Sequence, residues 1–176
     1  MTGKAAVFMD KDGTLVENVP YNVDPARITL AGGAAEAVQA FAGRGMPVIV
    51  VSNQPGAALG LFDEAELKNV EKALQAQLAG KLNGFYYCPH HPEAGCRCRK
   101  PSPGLLLRAA REQGVDLSRS WMIGDILDDV EAGRRAGCRT CLIDNGNETE
   151  WNLSDARRPH RVASDLAQAA ALILAE

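Results

Sequence analysis

Ala5-Ala6-Val7-Phe8-Met9-Asp10-Lys11-Asp12-Gly13-Thr14 is the stretch on which the fold turns. Its first half is an apolar run of strand length, and its second half becomes polar at once. Two carboxylates one position apart, at the tip of a buried strand, cost stability unless positive charge lies between them. In a parallel sheet, ligands bind at the carboxyl ends of the strands. A divalent cation with a phosphorylated substrate would answer that charge, one carboxylate acting as nucleophile and the other as acid/base. A lone Asp-x-Asp is more often a solvated turn or a helix cap, so the rest of the chain must supply the partners.

Outward from this stretch, apolar runs alternate with helical patterns, the mark of βαβ units. Residues 5–9 read as the first strand and 10–31 as a long connection holding Pro20 and Pro25. A helix is expected over about 34–42, ended by Gly43 and Gly45. Pro47-Val48-Ile49-Val50-Val51 reads as a second buried strand, with Ser52-Asn53-Gln54-Pro55-Gly56 as its polar exit. Asp63 and Glu66 have capping-box spacing, and Leu67, Val70, Leu74 and Leu78 share one helical face. Phe85-Tyr86-Tyr87 reads as a short strand. Ser102-Pro103 opens a helix that Gly114 closes. Trp121-Met122-Ile123 is a strand leaving through Gly124-Asp125, and the next helix stops at Gly137. Arg139 to Ile143 is the last clear strand, and residues 145–161 are polar and irregular. A terminal helix starts at Ser164 with Leu166, Ala169, Ala170, Ile173 and Leu174 inward. The expected fold is α/β, a Rossmann-like doubly wound parallel sheet, with residues 1–176 as a single domain.

At 176 residues the chain can bury one substantial core. A net charge of -3 offers no electrostatic case for nucleic acid or a membrane surface. No apolar run of about 18 residues occurs and the first residues lack a long apolar stretch, so a cytoplasmic protein without signal peptide or membrane span is expected. Five cysteines, with three crowded together, argue for metal ligation over a secreted disulfide framework. A monomer acting on a small phosphorylated metabolite is expected.

Polar clusters follow the strand-like runs: Asp10 and Asp12, then Ser52 and Asn53, then Asp125 and Asp129. In a parallel sheet these exits share one edge, and Arg99-Lys100 can reach it. Nucleophile, acid/base, hydroxyl donor, cation and further carboxylates are the parts phosphoryl transfer needs, because its catalysis is mostly positioning and charge neutralisation. Asp129 lies one helical turn after Asp125 and reads equally as a supporting or a capping residue. In this order the residues resemble the haloacid dehalogenase-like (HAD-like) superfamily of aspartate-nucleophile phosphatases, over nearly the whole chain. Asp10-x-Asp12-Gly-Thr is similar to its first motif, Ser52 to its second, Lys100 to its third and Gly124-Asp125-x-x-x-Asp129 to its fourth. The resemblance implies that Asp10 attacks phosphorus, forming an aspartyl-phosphate, and that Asp12 protonates the leaving alcohol and then activates water. It implies that Ser52 and Lys100 hold the phosphoryl oxygens, with Mg²⁺ between Asp10, the backbone carbonyl of Asp12, and Asp125.

Cys88-Pro89-His90-His91-Pro92-Glu93-Ala94-Gly95-Cys96-Arg97-Cys98 offers four ligands in eleven residues, which suits a closed, structural tetrahedral zinc. Cys88, His90, Cys96 and Cys98 are the expected set, with His91 competing for the histidine position. Cys138 and Cys141 flank a core strand and read as small core residues. The loop resembles that of the heptose-1,7-bisphosphate 7-phosphatases of lipopolysaccharide precursor synthesis and of the histidinol-phosphate phosphatases. Arg99 and Lys100 directly follow the last ligand, so pinning the loop would set two cations beside the substrate. By resemblance, Lys100 contacts the transferred phosphoryl group and Arg99 the rest of the substrate, such as a second phosphate.

The link between the first two motifs is too short for the large cap domain of many HAD-like proteins, so loops must shape the pocket. Asn18-Val19-Pro20-Tyr21 aligns with a substrate-contacting stretch of the heptose enzymes, which makes Asn18 and Tyr21 candidate substrate residues alongside Asn53. Two departures concern the substrate. Ile126 stands where those enzymes can carry a polar residue, and the five-residue spacer between His90 and Cys96 is closer to the histidinol-phosphate type. The expected activity is a Mg²⁺-dependent phosphomonoesterase on the heptose bisphosphate. The alternatives are a histidinol-phosphate phosphatase and, from another class, a zinc-stabilised binding protein without catalysis.

Overall fold

In the computed structural model, which describes residues 3–176, β1 (Val7–Met9) lies between two parallel partners. β2 (Val48–Asn53) pairs with one edge and β4 (Trp121–Gly124) with the other. A strand with neighbours on both edges and helices on both faces has no solvent side, so it must be apolar throughout. Val7, Phe8 and Met9 are accordingly 0% exposed.

The sheet has six strands in the order β3-β2-β1-β4-β5-β6, all parallel, with β3 at Leu82–Cys88, β5 at Arg139–Ile143 and β6 at Arg161–Ala163. The chain winds outward through β1, β2 and β3, crosses back to β4, and winds the other way. Its direction reverses between β1 and β4, where doubly wound sheets open a ligand crevice at the strands' carboxyl ends.

Period-two alternation sorts the side chains. Val7, Met9, Val48, Val50, Trp121 and Ile123 face α1 (Ala34–Gly43), α2 (Glu64–Gln77) and α5 (Leu166–Leu174). Ala6, Phe8, Ile49, Val51 and Met122 face α3 (Gly104–Gln113) and α4 (Leu127–Ala136). Phe8 and Phe41, fully buried in opposite layers, each contribute roughly 2 kcal/mol of transfer free energy. α2 starts with the capping box between Asp63 and Glu66 that the spacing foretold.

Four expectations need correction. Arg139–Ile143 is not the last strand, since Arg161–Ala163 pairs with it after a 3-10 turn at Asp155–Arg157. β3 runs over seven residues instead of the aromatic triplet alone, its polar start being tolerated at an edge. α3 begins at Gly104, and α5 begins at Leu166 with the Asp165 side chain as its cap. The first connection contains a 3-10 turn at Pro25–Arg27, and Val16 bridges back to Asp12 and Leu30. Cys138 and Cys141 are buried, as core residues should be. Among the described residues no helix is long and apolar enough to cross a membrane.

Candidate active site

Asp10 continues β1 by one residue, its N–H donating to the carbonyl of Ile123 in β4 at 2.9 Å. The chain then folds tightly, with the N–H groups of Leu15 and Val16 on the carbonyl of Lys11 at 2.9 and 3.0 Å. Gly13 permits this turn. Its φ is +84°, and a Cβ there would stand on Asp125 Oδ2.

Asp10, Asp125 and Asp129 bring their carboxylates within 4.8 Å of one another, and all three are buried. Lys100 sits among them, 3% exposed. Its Nζ lies 2.6 Å from Asp10 Oδ1 and 2.7 Å from Asp129 Oδ1, and it donates to the carbonyl of Val51 at 2.9 Å. Asn53 fixes the Lys100 backbone from both sides, its Oδ1 accepting the Lys100 N–H at 3.0 Å and its Nδ2 donating to the Lys100 carbonyl at 3.2 Å. Both polar ends of the Asn53 side chain are thus engaged with protein. Asn53 positions Lys100 here, and each end of its amide keeps one further hydrogen-bonding site.

Asp12 stands beside this trio. Its Oδ1 accepts from Lys11 Nζ at 2.7 Å and its Oδ2 from Gln54 Nε2 at 3.0 Å. The same Gln54 nitrogen donates to Ser52 Oγ at 2.8 Å, so one buried amide joins the expected acid/base to the expected phosphoryl-binding hydroxyl. Asp125 accepts from Thr14 Oγ1 on Oδ1 at 3.0 Å and from Asn147 Nδ2 on Oδ2 at 2.7 Å. Asp129 both caps its own helix, through the N–H of Ile126 at 3.3 Å, and pairs with Lys100. Both roles open for Asp129 in the sequence therefore hold. Lys11, Thr14, Gln54 and Asn147 are the supporting residues that sequence reasoning did not single out.

The electrostatics are unbalanced. Four carboxylates, Asp10, Asp12, Asp125 and Asp129, face two ammonium groups, Lys11 and Lys100. Burial, and then the charge of Asp10, push Asp125 up to about 6 despite its two hydrogen-bond donors. Burial and the Asp10 charge also raise Asp129, against the opposing pull of Lys100. Burial alone would lower Lys100, but Asp10 and Asp129 more than offset it and hold its proton. A buried, oxygen-rich site that holds more carboxylates than ammonium groups fits one hard divalent cation.

The second cluster lies at the end of β3. Sγ of Cys88, Cys96 and Cys98 and Nδ1 of His90 lie within 4.8 Å of one another. Their contacts are 2.9 Å for Cys88–Cys98, 3.5 Å for Cys88–Cys96, 3.7 Å for Cys96–Cys98 and 3.1 Å for His90–Cys98. A zinc–thiolate bond of about 2.3 Å gives a tetrahedral edge near 3.7 Å, so the donor set fits with a small expansion. His91 is outside the group, its Nδ1 accepting the N–H of Glu93 at 3.2 Å. Burial drives the Cys88 thiol up to about 12. Cys96 is brought down to about 6 against burial by the Arg99 N–H and the Cys88 thiol.

Arg99 follows this cluster, and its Nη1 is buried without a hydrogen-bond partner. A cleft of about 220 Å³ is lined by Arg99, Lys100 and Ser102. A larger one, about 430 Å³, reaches Gly13, Thr14 and Asn147 and takes in Asn18. Tyr21 is 53% exposed on a left-handed backbone, φ 55°. The structure thus brings Asp10, Ser52, Lys100 and Asp125 together, with Asp12 alongside, and leaves Asn18 and Tyr21 at the periphery.

The HAD-hydrolase-like family model matches residues 97–169. The D-glycero-β-D-manno-heptose-1,7-bisphosphate 7-phosphatase of Photorhabdus laumondii is 39% identical over 151 residues, covering 80% of this chain and 80% of that protein. The protein of the same name from Bordetella bronchiseptica is 34% identical over 176 residues, covering 97% and 98%. A crystal structure of D,D-heptose 1,7-bisphosphate phosphatase from B. bronchiseptica, complexed with magnesium and phosphate, matches with a TM-score of 0.83 at 30% identity, again over 97% and 98%.

Proposed function

From the premise that this chain belongs to the HAD-like hydrolases, in the family of the heptose-1,7-bisphosphate 7-phosphatases, we propose that it removes the 7-phosphate of D-glycero-D-manno-heptose 1,7-bisphosphate. One observation carries the chemistry: a buried carboxylate, Asp10, held at 2.6 Å by Lys100 within a cluster that holds more carboxylates than ammonium groups. Asp10, the Asp12 carbonyl and Asp125 would hold Mg²⁺. When bound, that ion supplies charge neutralisation and fixes a phosphoryl oxygen.

An oxygen of Asp10 attacks phosphorus as the bond from phosphorus to the substrate's leaving oxygen breaks. Asp12 gives its proton to that oxygen, releasing the alcohol. Asp12 then takes a proton from water, whose oxygen attacks the phosphoryl group on Asp10. Inorganic phosphate leaves and the Asp10 carboxylate is restored. Ser52 and Lys100 hold the non-bridging oxygens of the phosphoryl group through both halves. The unpartnered Arg99 Nη1, beside Lys100 in the smaller cleft, offers a grip for the substrate's second phosphate. Asn18 and Tyr21 would meet the sugar from the rim. Cys88, His90, Cys96 and Cys98 would hold a structural zinc, which needs reduced thiols and so a cytoplasmic setting.

Steady-state phosphate release from the heptose bisphosphate, histidinol phosphate and an aryl phosphate tests the assignment. The highest kcat/KM is expected on the heptose bisphosphate. Faster release from histidinol phosphate would overturn the substrate while leaving the chemistry in place.

A further inference from the structure

Three hydrogen bonds from one loop converge on the carboxylate cluster. The loop follows β5. Asn145 Nδ2 donates to the carbonyl of Gly13 at 2.9 Å, and Asn147 Nδ2 to Asp125 Oδ2 at 2.7 Å. Glu148 Oε2 accepts the N–H of Leu127 at 2.7 Å, at the start of the helix whose first turn carries Asp129. Ile126, at the cap position, has no side-chain acceptor to do this. The Asn147 N–H on Asn145 Oδ1 at 3.3 Å and the Glu150 N–H on Glu148 Oε1 at 2.7 Å hold the loop's own shape. Two acid-bearing segments, the β1 exit and the β4–α4 junction, are thereby tied to a third that carries none of the reacting groups.

Asn147 has the sharpest consequence. With Thr14 on one oxygen and Asn147 on the other, the Asp125 carboxylate cannot rotate freely. Each oxygen keeps a second lone pair, and those are aimed by the two donors. A neutral amide adds no charge, so its effect is orientation. The cleft of about 430 Å³ borders both Asn147 and Thr14, so a shortened side chain would open Asp125 to water from that side.

We propose that Asn147 is a positioning residue for the divalent-cation site, fixing Asp125 and so setting the affinity for Mg²⁺ without touching ion or substrate. The proposal rests on Asp125 being a cation ligand, as read above. Outer hydrogen-bond partners of ligands are typically worth about 10- to 100-fold in metal affinity.

The test uses the zinc-loaded protein and its Asn147→Ala and Asn147→Leu variants. Mg²⁺ binding is measured by calorimetry without substrate, and the Mg²⁺ concentration for half-maximal turnover is measured at saturating substrate. The Mg²⁺ dissociation constant and the half-maximal Mg²⁺ concentration should each rise about tenfold or more in the variants, and excess Mg²⁺ should recover the lost rate. Trp151→Ala, at the half-exposed tip of the same loop, should bind Mg²⁺ as the parent does. Unchanged Mg²⁺ affinity in both Asn147 variants, or a rate loss that no Mg²⁺ concentration restores, would overturn the proposal alone. A parent protein that binds no Mg²⁺ would remove the cation reading together with it.

Discussion

An Asp10→Asn protein should lose turnover and keep its fold, although the change breaks a buried ion pair. Removing one partner of such a pair ordinarily costs about 3–5 kcal/mol, because the other charge is stranded. Here Lys100 is not stranded, since Asp129 Oδ1 stays 2.7 Å from its Nζ and the Val51 carbonyl 2.9 Å. At an effective dielectric of about 20, a unit-charge attraction at the 2.6 Å Lys100–Asp10 distance is worth about 6 kcal/mol. The repulsions of Asp10 with Asp125 and with Asp129, at separations up to 4.8 Å, are each worth about 3 kcal/mol or more. Attraction lost and repulsion relieved nearly cancel, and burying an amide costs less than burying a carboxylate. Urea unfolding of the Mg²⁺-free protein should therefore shift by less than about 2 kcal/mol, in either direction. Phosphate release should fall to background, because the amide cannot form the phosphorylated intermediate. Turnover within tenfold of the parent would refute the nucleophile. A stability loss above about 3 kcal/mol would refute the charge accounting.

Three further outcomes follow from the same geometry. Asp125 is pushed up to about 6 from 3.8, so its contribution to stability is fully present below about pH 4 and is lost as pH rises through 6. That is up to about 3 kcal/mol in the Mg²⁺-free protein, and the Tm gain on adding Mg²⁺ should grow from pH 5 to 7; a gain independent of pH would refute it. Chelator treatment should release about one zinc per chain, make three loop thiols titratable and abolish turnover that Mg²⁺ alone cannot restore; a stripped protein with full turnover would separate the thiol loop from Lys100. Gly13→Ala should destabilise by about 2 kcal/mol or more, because the new Cβ meets Asp125 Oδ2 on a left-handed backbone; a wild-type Tm would show that the turn rebuilds freely.

The four inner strands were legible because burial on both faces favours apolar runs, as at Val7–Met9 and Trp121–Ile123. β6 was not legible. It has three residues, opens on an arginine, leaves Val162 52% exposed and pairs with β5 alone. The charged groups of the site could be read because each follows a strand, and strand exits converge in a parallel sheet. Their neutral supports could not. Gln54 looks like one more polar residue in an exit loop, yet its amide spans Asp12 and Ser52. Asn147 lies in a stretch without periodicity, and only the fold brings it to Asp125. Asn53 has a second role that its position did not announce: its amide holds the Lys100 backbone at both ends.

The excess of carboxylates over ammonium groups beneath the crevice also favours an order of arrival. A phosphate monoester is close to a dianion at neutral pH, and a floor rich in carboxylates repels it. Mg²⁺ bound first removes that repulsion, so the ester should bind more tightly to the Mg²⁺-loaded protein; equal ester affinity with and without Mg²⁺ would refute it.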